Sequence, residues 1–200
     1  MLMHGVPGIQ NNPDSNPAFI RQGKQGDLSV SELHGRYYEQ TYRGNVFSVS
    51  TQATNVTTTA ALATTFTGLA ISNPAGSGKN LVLLQFTAAQ FAVGVAGTIG
   101  IMGGIGVLTA SLTPQSRIIG GGQVSVALAS ASATISTPVL IATYGSVGSG
   151  ATTVPLAFQG ITKDFEGSVI VPPGSFIASY TSTAQTSAWQ FSFSWEEVPV

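Results

Sequence analysis

Gly76-Ser77-Gly78-Lys79-Asn80 has the composition of a phosphate-binding loop, in which backbone N–H groups and a lysine surround phosphate oxygens. The spacing does not follow through. Such a loop needs a glycine five residues before its Gly-Lys pair and a hydroxyl residue after the lysine, and the chain has Asn73 and Asn80 there. The stretch reads instead as a turn feeding a buried strand, with Lys79 at the strand entrance where its charge reaches solvent. Two carboxylate pairs, Asp164 with Glu166 and Glu196 with Glu197, supply the residue types of glycoside hydrolysis, which sets two carboxyl groups across the scissile bond. Residues 163–167 read as a polar turn between strands, and Glu196 and Glu197 are expected at the exposed end of a strand, so neither pair reads as catalytic. His4 and His34 are the only histidines. A hydrolase triad would have to use His34 as its base, and no Gly-x-Ser-x-Gly elbow accompanies it. Asp14, Asp27 and Glu32 lack the spacing of a calcium loop, and the absence of cysteine removes disulfides and thiolate metal sites. The expectation is a protein that is no enzyme and takes no cofactor or metal.

The elements that would position any such residue are strands. Short segments rich in Val, Ile, Thr, Phe and Tyr alternate with clusters of Gly, Pro, Asn and Ser, and no long helical period appears. In the clearest segment Trp189, Phe191, Phe193 and Trp195 alternate with Gln190, Ser192 and Ser194, which places the aromatics on one core-facing side. Further strands are predicted at 45–50, 64–71, 80–89, 98–112, 123–129, 139–144, 168–171 and 175–181. Turns are predicted at 73–78, 120–122, 145–150 and 172–174. This spacing predicts an all-β body over residues 45–200, a two-sheet sandwich of jelly-roll type. Residues 81–112 hold no ionisable side chain, but Gln85, Gln90 and repeated glycines argue for two buried strands over a membrane span.

Charge is distributed unevenly. Eight of the fifteen Asp, Glu, Lys and Arg side chains lie between Asp14 and Arg43, leaving only Lys79, Arg117, Lys163, Asp164, Glu166, Glu196 and Glu197 in residues 44–200. A domain standing alone keeps roughly a quarter of its residues charged, so this body is expected to work inside an assembly. So few basic residues also argue against nucleic-acid binding and against an anionic membrane surface. Residues 1–10 lack the pattern of a secretory signal. Residues 1–44 are rich in Gly, Pro and Asn and read as an extended, largely irregular arm, with Ser29-Val30-Ser31-Glu32 as a capping box for one short helical turn. Arg21, Lys24, Arg36, Tyr37, Tyr38, Tyr42, Arg43 and Phe47 have the composition of an interaction surface. The tyrosines alternatively fold back on the chain's own sandwich.

Three stretches carry a resemblance: Leu33-His34-Gly35-Arg36-Tyr37-Tyr38-Glu39 with Tyr42-Arg43-Gly44-Asn45-Val46-Phe47, then Asn73 to Leu83, then Trp195-Glu196-Glu197-Val198-Pro199. With them the chain resembles structural proteins of tailed double-stranded DNA bacteriophages, especially head decoration (cement) proteins built as an arm and a β-sandwich. The resemblance implies a homotrimer on the capsid exterior, made in the host bacterial cytoplasm, whose arms clamp neighbouring subunits of the major capsid protein. It implies no catalytic residue. The alternatives are a tail-fibre, collar or receptor-binding virion protein that recognises a host surface glycan, and a carbohydrate-active enzyme on a jelly-roll scaffold.

Overall fold

The structure, a computed structural model, describes residues 5–6, 20–21, 35–51, 56–90, 94–147 and 160–200. By its internal contacts the chain divides into two compact units, Met1–Glu39 and Gln40–Val200. In the first, β1 (Gly5–Val6) pairs in parallel with β2 (Ile20–Arg21). A five-residue helix, α1 (Tyr38–Tyr42), contains the division between the two units. The capping box expected at Ser29–Glu32 lies outside the described residues.

The elements of the second unit run β3 (Val46–Ser50), β4 (Val56–Thr58), β5 (Thr65–Ser72), β6 (Lys79–Gln90), β7 (Gly97–Ile105), β8 (Gln115–Ser116), β9 (Leu128–Thr134), β10 (Val139–Val147), β11 (Gly160–Asp164), β12 (Ile170–Val171), β13 (Ser175–Thr181) and β14 (Gln185–Pro199). They form two antiparallel sheets. One has the order β10-β7-β13-β5-β9, and the other β11-β6-β14-β3-β8, with β12 beside β6 and β4 beside β14. Read across the sandwich, β3-β14-β6-β11 opposes β5-β13-β7-β10. That is the interleaving of two Greek keys in a jelly roll. Strands β8 and β9 widen one lateral edge, and β10, β11 and β12 make the other.

The core follows from side-chain alternation. Trp189, Phe191, Phe193 and Trp195 of β14 all point inward and are at most 1% exposed, stacking in part on Phe47 and Phe86. They meet Leu69, Ile71, Ile99, Ile101 and Ile177 from the opposing sheet. On β6 the inward residues change phase from Leu81 and Leu83 to Phe86 and Ala88. A bulge between Ser194 and Trp195 in the β14 pairing skips Leu84. A smaller cluster (Phe66, Ala70, Met102, Leu108, Ile135, Phe176 and Ala178) covers the far side of β5, β7 and β13. Loop residues Leu108 and Ile135 fold over that side, so this sheet is apolar on both faces where they reach.

Several expectations need correction. The strand predicted at 123–129 begins at Leu128 and continues through alternating Ser and Ala to Thr134, because pairing with β5 decides its position. The strand predicted over 98–112 ends at Ile105, and its last residues lead to the single bridge Leu112–Ala129. Lys163 and Asp164 lie in β11 and not in a turn; the turn follows, with Glu166 at φ +52°. Gly145 to Val147 extend β10, while 148–150 lie outside the described residues. Among the described residues no helix is long and apolar enough to cross a membrane.

Candidate interaction site

The groups that suggested chemistry are dispersed. Inward alternation along β14 continues past Trp195 to Glu197, which is 1% exposed rather than at an exposed end. Its Oε2 accepts from Lys79 Nζ at 2.8 Å, and its Oε1 accepts from Ser125 Oγ at 2.6 Å and from Val126 N at 2.9 Å. Lys79 is therefore a partner for a buried carboxylate, with about a third of its side chain still reaching solvent. Charge-assisted bonds to both carboxylate oxygens make burial tolerable and give Glu197 a structural role in tying β6 and the 117–127 loop to β14. Glu196, on the opposite face, has its carboxyl raised above the ordinary value by partial burial. Asp164 is exposed and accepts from Gln85 Nε2 at 2.8 Å. His4 and His34 lie outside the described residues. Among the described residues no cluster of His, Asp and Glu is arranged to hold a metal ion.

The outer face of the seven-stranded sheet is polar, with hydroxyls and amides outnumbering its few charges. Strand register places Ser50, Ser192, Thr87 and Thr162 in one row and Ser48, Ser194, Gln85 and Asp164 in the next. Thr87 and Ser192 share a hydroxyl–hydroxyl hydrogen bond, and Arg117 Nη2 donates to Ser194 Oγ at 3.3 Å. Small hydroxyls and amides hydrate such a face, and they also hydrogen-bond to a neighbouring protein without the cost of burying an ion.

The residues expected to form an interaction surface sort by place. Arg36 is exposed and lies over the Tyr37 ring at 5.7 Å, a cation–π arrangement. Tyr38 is 46% and Tyr42 70% exposed, and Arg43 is exposed. Backbone bonds from Gly44 N to Thr41 O and from Asn45 N to Gln40 O close the turn after the helix, with Asn45 Nδ2 donating to Gln40 Oε1. Arg21 lies in β2, and Lys24 is outside the described residues. Phe47 is different: inward on β3 and stacked on Trp195 with ring centroids 6.5 Å apart, it belongs to the core and presents nothing to a partner.

Alternation did not reveal the exposed aliphatics at the two lateral edges. In the 117–127 loop between β8 and β9, Ile119 is 95% and Val124 86% exposed. At the opposite edge Val139, Leu140, Ile141, Ile105 and Ile170 are all exposed. Exposed aliphatics grouped in this way mark interaction surfaces. The sequence signal was present as apolar residues beside the glycine run 120–122 and as Val-Leu-Ile at 139–141, where both strand faces are apolar. Comparison with protein families, curated proteins and solved structures gives no match to this chain.

Proposed function

We propose that the chain is a structural protein of a tailed-bacteriophage virion. In this reading it is a head decoration protein whose sandwich assembles as a homotrimer on the capsid exterior. Its N-terminal arm contacts neighbouring major capsid subunits. Its function is binding, with no turnover. The observation that carries this reading is a body whose residues 44–200 include seven charged side chains, two of them bonded to each other as Lys79 and Glu197, while aliphatic residues stand exposed at both lateral edges. A surface of hydroxyls, amides and exposed Ile and Val is poorly suited to a solitary protein and well suited to close packing around a symmetry axis. Exposed Tyr38, Tyr42, Arg36 and Arg43 supply the residue types that dominate binding energy. Several such arms on one oligomer would act with high effective concentration. Both tryptophans are buried in the core, which favours this reading over a glycan-binding one, where stacking platforms must be exposed.

The test is add-back. Phage particles lacking this chain are heated with and without the purified protein, and shell rupture is followed by release of DNA. The reading predicts saturable binding to the heads and a higher rupture temperature, with both effects weakened by Tyr38→Ala/Tyr42→Ala. No binding to heads would overturn it.

A further inference from the structure

The two exposed aliphatic groups lie on opposite edges of the sandwich and differ in shape. One is a knob. The 117–127 loop is held at its start by Arg117 N donating to Val46 O and at its end by Ser125 Oγ and Val126 N donating to buried Glu197. Within it Gly121 N donates to Ile118 O, and Ser116 Oγ of β8 donates to Gln123 Oε1, so the tip carrying Ile119 and Val124 is a braced turn. The other is a socket. Between β10 and β12 the sandwich seam opens into a cavity of about 270 Å³ lined by Gly103, Ile141, Val169, Ile170, Pro172 and Phe176 among others. The far half of β10 is closed, since Ile161 of β11 packs on Gly145 and Tyr144 meets Phe165 edge-on. The near half is open, with Val139 64%, Ile141 49% and Ile170 54% exposed. Edge strand β10 carries neither a charge nor a proline, and its pairing with β7 is irregular at two places.

From this we infer that the occupant of the socket is a second copy of this chain, whose Ile119–Val124 knob inserts between β10 and β12 in a head-to-tail contact. Three observations select a second copy. Knob and socket are both aliphatic and occur on the same molecule. They sit at opposite lateral edges, so one copy cannot satisfy itself and each contact leaves a free knob and a free socket. Charge favours the contact modestly, because Arg117 stands at the base of the knob while the segment from β11 to β12 on the socket's edge carries two acids, Asp164 and Glu166, against one base, Lys163, which lies over the Tyr144 ring at 5.8 Å. A contact of this kind is heterologous and closes into a ring when the rotation per copy divides a full turn. The inference deepens the self-association in the proposed function and rests on that part of it, independently of any virion.

The experiment uses the full-length chain, with mass measured by light scattering and native mass spectrometry. Ile119→Asp spoils the knob at a side chain with no packing role, and Ile170→Asp or Ile141→Asp spoils the socket. The wild type is expected as a closed ring, and each variant as a monomer at concentrations at least about tenfold above those at which the wild type assembles. The decisive sample is an equimolar mixture of Ile119→Asp with either socket variant. One intact socket and one intact knob remain in that mixture, so a one-to-one heterodimer should form. A wild type that stays monomeric at about 100 µM, an Ile119→Asp variant that still forms the ring, or a mixture that yields only monomers would overturn the inference. Each of those results leaves the binding of heads by the arm to be judged by its own add-back test.

Discussion

Glu197 shows how one side chain ties the interior to the surface. Its carboxylate is buried, yet its partners are the lysine at the mouth of β6 and the two residues that end the 117–127 loop. Replacing it by alanine leaves Ser125 Oγ and Val126 N without their acceptor and Lys79 without its counter-ion. The expected cost is about 2–4 kcal/mol by urea denaturation. Lys79→Met should cost less than about 2 kcal/mol, because the carboxylate keeps its other two donors. Equal effects would mean that the ion pair alone matters. Glu196 behaves oppositely. Its folded-state carboxyl is raised, so ionisation is less favourable in the folded than in the unfolded chain, and stability is lost as pH rises from the unfolded to the folded value. Glu196→Gln should therefore match the wild type near about pH 3 and melt slightly higher near about pH 7. A variant less stable at neutral pH would contradict that sign.

At the scale of elements, the packing of β7 against β10 decides how open the socket edge is. A Cβ on Gly100 would overlap the carbonyl oxygen of Ala142, where the pairing is irregular between Leu140 and Ala142 and again between Thr143 and Gly145. Gly100→Ala must push the strands apart. It should speed amide exchange along β10 while β14 stays protected, and uniform protection across both strands would show that the bulges absorb the methyl. How much could be read beforehand differs from strand to strand. β14 was legible over 189–195 because Trp and Phe alternate there with Gln and Ser, and β13 because a run of aromatic and aliphatic residues follows the Pro172-Pro173-Gly174 turn. β9 was misplaced because Ala-Ser-Ala-Ser-Ala-Thr carries little intrinsic strand preference, and only its pairing with β5 fixes it. Glu197 was misjudged as exposed because its charge was weighed above its place in the same alternation. The apolar residues of knob and socket stand in the sequence beside 120–122 and at 139–141, but their exposure was not legible, because it depends on which strands become edges and strand order is not written in local pattern.

At the scale of the whole molecule, a jelly-roll sandwich nearly free of charge and apolar at both lateral edges follows an N-terminal region that holds eight of the chain's fifteen charged side chains. In the proposed function the sandwich packs against other copies and the arm attaches to the shell, so strength comes from many tethered contacts acting together. The direct measurement is the copy number of this chain relative to the major capsid protein in purified particles, by quantitative mass spectrometry with isotope-labelled peptides from both. The account predicts a ratio near one or near a simple fraction of one, set by the symmetry of the shell. A ratio of a few per cent would place the chain in a tail or collar, and its absence from particles would contradict the virion reading altogether.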